Sequence, residues 1–290
     1  MLLAVLTLSG AVRSRRLVET TLRFPVPFRA QLNLGSWLER LALVAGGYED
    51  QLPGLLGELW QHAGGEGCVL DVGANVGLIS IPTALAIGKE TRLRPVVCAI
   101  EPVPDNFQAL EGNVSRNALR EEVRLLQVAL GEKRGQVRIQ VEGGRGAGEG
   151  TGTANVLPGP PPLRETAVPV EVETIDRLRE QELVPSRVSV IKLDTDGYDL
   201  KVLEGARLTL ERDRPAIFGE FDEHSLAKQG QGWTELRTLA HASGYGVFYK
   251  AVRAGWRFRP ATGPGFGQDL LLLPLEALGR FAWCLDDARD

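Results

Sequence analysis

The sequence contains few cysteines and histidines, which excludes several kinds of site. Its 290 residues include three cysteines, Cys68, Cys98 and Cys284, and three histidines. An odd number of widely spaced cysteines builds neither a disulfide framework nor a zinc site. Cys68 and Cys98 lie in apolar, strand-like runs, so we expect them to be buried, reduced thiols. The small number of histidines argues against a histidine metal cluster, and we predict no metal site.

Concentrated positive charge and long apolar runs are also missing. The formal net charge is -4, and the arginines are scattered, which argues against a general nucleic-acid binder. The N-terminal run MLLAVLTL is too short to span a bilayer. The arginines follow this run, whereas in a secretory signal they precede it. We therefore expect residues 1–16 to form a core strand or helix of a cytoplasmic protein without a membrane span.

The composition and the hydrophobic patterns that are present indicate an α/β protein. A hydrophobic share of 43% and a charged share of 24% are ordinary for a globular protein. Residues 1–66 predict an N-terminal cap region, in which apolar residues recur at helical spacing over 34–60 with breaks at Gly46, Gly47 and Pro53. From Cys68 onward, short apolar strands alternate with helical patterns. Residues 67–290 therefore predict a domain with a mostly parallel sheet and helices on both faces.

The predicted elements can be placed along the chain. The strands are 68–72, 96–101, 123–130, 137–142, 168–174, 188–194, 216–222, 244–252 and 269–274, and the helices are 76–86, 104–117, 175–182, 200–211 and 233–243. Pro82 is a defect in the first of these helices, because an interior proline removes a hydrogen bond and kinks the helix. Residues 142–167 are rich in glycine and proline and have no periodicity, so we predict a disordered segment or a lid over a site.

The most informative stretch is VLDVGANVG, from Val69 to Gly77. An apolar run ends in Asp71 and passes into a turn with Gly73 and Gly77, where the backbone can approach a ligand closely. A strand, a glycine-rich turn and a helix start form the nucleotide-binding corner of a parallel α/β sheet. A dinucleotide site prefers G-x-G-x-x-G, but Asn75 occupies the second glycine position, and the Asp71 carboxylate would repel a pyrophosphate. The pattern favours S-adenosylmethionine, which has no phosphate, over NAD; an empty turn capped by Asn75 is the alternative.

A second acidic residue ends the next predicted strand. Glu101 lies in CAIEPVPDNF, after the apolar run and directly before Pro102. An acid at this position accepts hydrogen bonds from ribose hydroxyls. Because NAD and S-adenosylmethionine both contain ribose, Glu101 indicates a nucleoside without choosing between them. The alternative is an exposed turn acid.

Taken in order, these motifs resemble the FkbM family of S-adenosylmethionine-dependent methyltransferases. The resemblance covers residues 47–274 and rests on GYED, VLDVGANVG, IEPVPDNFQALEGNV, VALGEKRG, VETIDRL and IKLDTDGYDLKVLEGA. It implies the class I methyltransferase fold, a Rossmann-like seven-stranded sheet. It also implies O-methylation of sugars or of polyketide-type natural products, as in characterised members of the family.

The resemblance also implies roles for individual positions. The implied cofactor-binding residues are Asp71, Gly73, Ala74, Asn75, Gly77, Glu101, Pro102, Ala129 and Leu130. Among them, Asp71, Gly73, Asn75 and Gly77 would line the methionine end, Glu101 the ribose, and Ala129 and Leu130 the adenine. Asp194 would lie where cofactor and acceptor meet. The chain departs from the family pattern D-x-E-G, because Asp196 stands where the family usually has glutamate.

The carboxylates of this region can also be interpreted without the family. Asp194, Asp196, Asp199 and Glu220 follow or end predicted strands, and carboxyl ends of parallel strands lie at the edge where ligands bind. A hydroxyl acceptor must lose its proton, and a nearby carboxylate can take it. We expect Asp194 to orient the hydroxyl and take the proton, with Glu220 as the second candidate. Alternatively the cluster could hold Mg²⁺, and Asp196 and Asp199 could cap the helix that begins near Leu200.

Several other polar residues are candidates for a role in the site. A short-chain dehydrogenase carries a tyrosine and a lysine four positions apart, whereas Tyr198 and Lys201 are three apart, so this reading fails. His224 could act as a base near neutral pH, but a surface position on a polar loop is the expected one. Tyr48 and Glu49 could close over the cofactor from the cap.

The predicted function is methyl transfer from S-adenosylmethionine to an oxygen of a sugar or secondary metabolite. The acceptor would be a small molecule or a glycan, and no nucleic acid is expected. Two alternatives stay open: methylation of a nitrogen, for example a peptide amide, and a nucleoside-binding protein without catalysis.

Overall fold

The computed structural model describes residues 17–23, 25–141, 154–156, 167–251, 255–263 and 269–286. Its strands are β1 (Leu17–Leu22), β2 (Phe28–Asn33), β3 (Cys68–Val72), β4 (Val97–Ile100), β5 (Val123–Leu126), β6 (Ala129–Leu130), β7 (Gly135–Val141), β8 (Ala154–Val156), β9 (Ala167–Glu173), β10 (Val188–Leu193), β11 (Ala216–Glu220), β12 (Tyr245–Lys250), β13 (Phe258–Pro260) and β14 (Asp269–Pro274). Its helices are α1 (Trp37–Ala45), α2 (Leu52–His62), α3 (Ser80–Ile87), α4 (Pro104–Arg116), α5 (Ile175–Glu180), α6 (Asp199–Glu204), α7 (Arg207–Asp213), α8 (Glu223–Lys228) and α9 (Trp233–Ala242), followed by a 3₁₀ helix, Leu275–Phe281.

The central sheet has eight strands in the order β13-β12-β14-β11-β10-β3-β4-β5. The five strands β5, β4, β3, β10 and β11 pair in parallel, and β14, β12 and β13 complete the sheet through antiparallel pairs. The order changes direction at β3, so the carboxyl ends of β3, β4 and β10 meet at the switch point where α/β sheets bind ligands. The predicted mostly parallel α/β sheet is confirmed, with β13 as an additional edge strand beyond the seven expected.

Side chains of the sheet enter two separate cores. In one core, side chains from one face of the sheet pack against apolar residues of α2, α3 and α4. In the other core, the opposite face packs against α5, α6, α7 and α9. Because successive side chains of a strand point to opposite faces, a strand covered on both faces reads as a continuous apolar run. The three cysteines are free and buried, as expected for Cys68 and Cys98.

The first helix of the sheet begins later than its pattern predicted. We expected a helix over 76–86 with Pro82 as an interior defect, but α3 begins at Ser80. Asn75 and Gly77 both have positive φ angles, 49° and 89°, which hold the chain in a turn before the helix. Pro82 therefore lies in the first helical turn. Backbone N–H groups in this turn have no intrahelical acceptor, so proline costs no helical hydrogen bond here.

Two further predictions about elements were wrong. The single helix expected over 200–211 is interrupted between α6 and α7. Gly205 lies at this break, and a Cβ added to it would be 2.1 Å from the Gly131 carbonyl oxygen, so only glycine permits this close approach. The strand expected over 123–130 is likewise divided, since β5 pairs within the central sheet and β6 pairs with β9.

A second, four-stranded sheet has the order β6-β9-β7-β8. It contains the strands predicted near 137–142 and 168–174, and β8 pairs with β7 from within the glycine- and proline-rich stretch. The rest of that stretch, 142–153 and 157–166, lies outside the described residues, as do residues 1–16. The predictions of a lid and of an N-terminal core element therefore stay predictions.

The N-terminal cap consists of a β-hairpin (β1 and β2) and helices α1 and α2. As the breaks in the pattern predicted, α1 ends before Gly46, whose φ is 78°, and α2 has Pro53 in its first turn. Side-chain amides of α4 and of its C-cap residue bind the outer edge of β2. Asn113 and Asn117 accept hydrogen bonds from the backbone N–H groups of Gln31 (2.7 Å) and Arg29 (2.8 Å). The Nδ2 of Asn117 also donates to the Arg29 carbonyl.

Candidate active site

A cavity of about 290 Å³ opens at the carboxyl ends of the parallel strands. It lies at the switch point of the sheet, the usual ligand-binding position in open α/β folds. Strand ends, the second sheet and the cap all contribute to its walls, which comprise Leu38, Tyr48, Val72, Gly73, Asn75, Ile100, Glu101, Pro102, Asn106, Val128, Ala129, Leu130, Ile139, Asp194, Thr195, Asp196, Tyr198 and Glu220.

Glu101, after β4, is a buried carboxylate on this cavity. Its Oε2 accepts a hydrogen bond from the Asn75 N–H (2.9 Å), and its Oε1 accepts from the Val103 N–H (2.9 Å) and from Asn106 Nδ2 (3.4 Å). Burial raises the pKa of Glu101 to about 7, although these three donors act in the opposite direction. Each carboxylate oxygen has two lone pairs, so Oε2 can accept a further hydrogen bond from a ligand, and Oε1 can do so in place of its long contact to Asn106.

The turn after β3 brings backbone close to the loop after β10. Gly73 has a φ of 79°, and an added Cβ would lie 1.9 Å from the Asp194 carbonyl oxygen. Glycine is therefore required here both for the dihedral angle and for the space. The result is a concave backbone surface between two neighbouring strand ends, on which a ligand can lie without a side chain in between.

One side of the cavity is apolar. Val128 precedes β6, Ala129 and Leu130 form it, and Ile139 comes from β7 of the second sheet. Ala129 and Ile139 belong to one small buried cluster with Val103. Such a wall suits a flat, weakly polar group such as a nucleobase. The contribution of Ile139 was not predicted, because nothing in its strand pattern indicates which sheet it joins.

Asp71 lies beneath the cavity. Its side chain is 1% exposed, accepts a hydrogen bond from the Ser80 hydroxyl, and pairs with Lys192 Nζ at 3.0 Å. Asp71 does not line the cavity, and its expected place at the methionine end of a cofactor stays a prediction. The sequence analysis did not select its ion-pair partner, Lys192.

Asp194 and Glu220 lie on the wall opposite Glu101. They follow and end the neighbouring parallel strands β10 and β11, and both line the cavity. Asp194 Oδ2 accepts a hydrogen bond from Lys192 Nζ at 3.4 Å. Desolvation, together with the negative charges of Asp194 and Glu49, raises the pKa of Glu220 to about 7. This wall thus carries the Asp194 carboxylate, which Lys192 contacts, and the Glu220 carboxyl, which titrates near neutral pH.

The loop between Asp194 and helix α6 is ordered by Asp199. The buried Asp199 carboxylate accepts hydrogen bonds from the Thr195 N–H (3.1 Å), the Thr195 hydroxyl (2.7 Å) and the Gly197 N–H (3.2 Å). Burial raises the pKa of Asp199 to about 6. These contacts order the loop and do not cap helix α6, whose N-cap residue is Tyr198 without a side-chain cap hydrogen bond, so the expectation that Asp199 caps this helix was wrong. Asp196 lines the cavity with a positive φ of 53°.

The cap supplies two lining residues, Leu38 of α1 and Tyr48 of the turn after it. Burial and the neighbouring Glu49 carboxylate raise the pKa of the Tyr48 hydroxyl. A position of Tyr48 over the cofactor site was expected from the sequence, whereas Leu38 was not selected. His224 is exposed on helix α8 and does not line the cavity.

Most of the predicted site residues come together in this one cavity, and three do not line it. Gly73, Asn75, Glu101, Pro102, Ala129, Leu130, Asp194 and Glu220 form its walls, whereas Asp71, Ala74 and Gly77 lie behind them. Gly77 packs against helix α4, since an added Cβ would be 2.8 Å from Leu110 Cδ1. Within the described ranges, no three His, Cys, Asp or Glu side chains are placed to share a metal ion.

The residues present fit S-adenosylmethionine. Glu101 offers acceptor capacity to ribose hydroxyls, the apolar wall suits adenine, and the backbone surface at Gly73 leaves space for the amino-acid end. The negatively charged side chains around the cavity suit a ligand that carries a sulfonium and an ammonium group and no phosphate. Fold and site together define an α/β enzyme of the class that binds a nucleoside cofactor at the switch point of its sheet.

The sequence assigns the enzyme further. A family model described as the methyltransferase FkbM domain matches residues 71–247, and the chain belongs to this family. The expectation of an S-adenosylmethionine-dependent methyltransferase of the FkbM family is thereby confirmed. A comparison with curated proteins finds no match. Among the described residues, no helix is both long and apolar enough to cross a membrane.

Solved structures with a similar chain path include three methyltransferases. The methyltransferase FkbM of Methylobacillus flagellatus has a TM-score of 0.44 at 17% identity, and the match covers 72% of this chain and 44% of that protein. An O-methyltransferase of Bacillus cereus in complex with SAH has a TM-score of 0.45 at 12% identity, with 82% and 88% covered. The O-methyltransferase TomG of Streptomyces achromogenes, involved in tomaymycin synthesis and in complex with SAM, has a TM-score of 0.45 at 11% identity, with 83% and 87% covered.

Proposed function

We propose that this protein transfers a methyl group from S-adenosylmethionine to a hydroxyl oxygen of a small molecule, either a sugar or a secondary metabolite. The observation that carries the proposal is the arrangement of carboxylates around one cavity. Glu101 lies on one side, and Asp194 and Glu220 lie at the ends of adjacent strands on the other. The cavity thus combines a nucleoside-binding side with a side that can orient and deprotonate an acceptor.

Cofactor binding would depend on the cavity's backbone and on one carboxylate. Glu101 would accept hydrogen bonds from the two ribose hydroxyls, and Pro102, Ala129 and Leu130 would flank the adenine. The turn at Gly73 and Asn75 would hold the methionine end. S-adenosylmethionine, when bound, supplies a methyl group activated by its positively charged sulfur.

The acceptor would lie against Asp194 and Glu220. The Asp194 carboxylate, held by Lys192, would accept a hydrogen bond from the acceptor hydroxyl and so orient its oxygen. Glu220, whose pKa is raised to about 7, would take the proton, because a general base works best when its pKa lies near the operating pH. This division refines the expectation that Asp194 performs both tasks. Placement of the two reactants can itself supply roughly 7–11 kcal/mol of the barrier reduction.

Two measurements test this function. Calorimetric titration should show binding of S-adenosylmethionine and SAH but not of NAD; tight NAD binding without a response to S-adenosylmethionine would refute the proposal. Incubation of a metabolite extract with methyl-labelled S-adenosylmethionine should then yield labelled products, and mass spectrometry should place the label on oxygen. Label on nitrogen would establish the alternative acceptor chemistry. Binding without any labelled product would instead indicate a nucleoside-binding protein.

A further inference from the structure

Lys192 is a buried lysine within the central sheet, between two parts of the cavity. Its side chain is 4% exposed. The ammonium nitrogen contacts Asp71 Oδ1 at 3.0 Å, the Gly73 carbonyl oxygen at 3.2 Å and Asp194 Oδ2 at 3.4 Å. The contacts to Gly73 and Asp194 are hydrogen bonds, and the contact to Asp71 is an ion pair. Because its side chain does not line the cavity, Lys192 can act on a ligand only through other residues.

Strand register explains why the three acceptors converge. Lys192 and Asp71 are direct partners in the parallel pair β10 and β3. Directly after β10, the Asp194 N–H donates to the carbonyl of Val72, the last residue of β3, at 3.1 Å. Burial alone would lower the pKa of Lys192, but the charges of Asp71 and Asp194 outweigh burial and raise it. The lysine is consequently a permanent cation between the turn after β3 and the loop after β10.

We propose that Lys192 is a positioning residue for methyl transfer, which holds the Asp194 carboxylate in the orientation that the acceptor requires. The inference rests on the proposed function. Asp71 by itself neutralises the buried ammonium, so charge compensation does not require the contact to Asp194. The Asp194 side chain is 43% exposed to the cavity, and an exposed side chain without this contact would sample other rotamers. Lys192 thus connects the carboxylate that faces the acceptor to the glycine turn on the cofactor side.

Substitution of Lys192 alone would confuse two effects, because it would leave the charge of Asp71 buried without a partner. The comparison is therefore made in a background without that charge. Asp71→Asn keeps the shape of the side chain and can still meet Ser80 and Lys192 with hydrogen bonds, so D71N is the reference protein. The test protein is D71N/K192M, in which a neutral side chain of similar length replaces the lysine.

The first readout needs no acceptor. Crystal structures of D71N and D71N/K192M with SAH should show the Asp194 carboxylate in one orientation in the reference, and displaced or in several conformers in the test protein. An unchanged Asp194 in both structures would overturn the inference. If wild-type protein fails to bind SAH, the proposed function fails, and ligand-free crystals of the same two proteins still decide the role of Lys192.

The second readout is a mutant cycle with the acceptor found in the extract screen. Loss of about 1 Å in positioning can cost ~10²-fold in rate, so kcat of D71N/K192M should fall by about that factor relative to D71N, whereas the Kd for SAH should change by less than about threefold. When Asp194→Asn is added to both proteins, Lys192→Met should lower kcat by no more than about threefold, since the group that it positions is already lost. An equal fall with and without Asp194, as a general structural role would produce, overturns the inference. Should D71N/K192M not fold, D71N/K192Q enters both comparisons and is judged by the same criteria.

Discussion

Replacing Glu101 with glutamine should remove a specific pH dependence from the stability of the ligand-free protein. The Glu101 side chain is 4% exposed, and burial raises its pKa from 4.5 to about 7. Folding therefore takes up a proton at this carboxyl at pH values between these two. Because the folded state has the higher pKa, this group destabilises the protein progressively as the pH rises from about 4.5 to about 7.

The size of the effect follows from the two pKa values. One pKa unit corresponds to about 1.4 kcal/mol, so the gap between 4.5 and about 7 amounts to about 3 kcal/mol of unfolding free energy. This loss of unfolding free energy is complete above the pKa of Glu101 in the folded state and absent below its pKa in the unfolded state. Other carboxyls with raised pKa values, Glu220 and Asp199, titrate in the same range. They are present in wild type and variant alike and cancel in the difference.

Urea denaturation of both proteins between about pH 5 and about pH 8 measures this difference. The stability of Glu101→Gln relative to wild type should rise by about 2 to 3 kcal/mol over that range. At any single pH the variant also loses one acceptor for the Asn75 or Val103 N–H, so only the change with pH is diagnostic. Glu111→Gln, an exposed change on helix α4, is the matched control and should follow wild type. Parallel pH profiles for wild type and Glu101→Gln would refute the reasoning.

The same carboxyl should make cofactor affinity depend on pH. Ribose hydroxyls would donate to the ionised form of Glu101, so binding should lower its pKa and release a proton. The affinity for SAH should then increase by about tenfold from pH 6 to pH 8 in wild type, and Glu101→Gln should bind more weakly without this dependence. Calorimetry in two buffers of different ionisation enthalpy measures the proton release, and its absence would contradict the proposed contact.

Three further predictions follow from the site. Gly73→Ala should lower the unfolding free energy by more than about 2 kcal/mol in chemical denaturation, because its Cβ would collide with the Asp194 carbonyl oxygen. The control is Gly57→Ala on helix α2, where a Cβ meets no other atom. It should raise the unfolding free energy by about 0.5–1 kcal/mol. Asp194→Asn should lower kcat by ~10²-fold and leave the Kd for SAH nearly unchanged; full turnover would exclude an orienting role. The kcat of wild type should rise with pH through about 7 as Glu220 ionises, and Glu220→Gln should lose this dependence while the exposed change Glu223→Gln retains it.

The sequence predicted the central sheet well because its strands are covered on both faces. Runs such as VLDV and VSVIKL have no polar alternation, and the glycine turn after β3 marks the switch point. The second sheet was not anticipated, because the alternating strands around Val137 and Val170 show period two without indicating a pairing partner. The late start of α3 could not be derived either, since it depends on positive φ angles at Asn75 and Gly77.

For the candidate site, the sequence predicted which acidic residues lie at strand ends. It did not predict which side chains of neighbouring strands contact each other. Glu101, Asp194 and Glu220 each follow or end an apolar run, and the topology brings all three to one cavity. Asp71 has the same sequence signal but points beneath the cavity toward Lys192. Lys192 stands out in the sequence because it is a lysine inside an apolar strand. Only the register of β10 against β3 shows that it contacts Asp71.

Asn113 in helix α4 and Asn117 at its C-cap have a consequence for association between molecules. An unpaired strand edge offers N–H and C=O groups on which another chain can add a strand. Along β2, the outward-facing groups of Arg29 and Gln31 are already bound by Asn117 and Asn113, so a foreign strand finds no free template there. Helix α4 and the asparagine that follows it therefore block strand addition at this edge of β2, and the helix also supports Glu101 at its other end through Asn106.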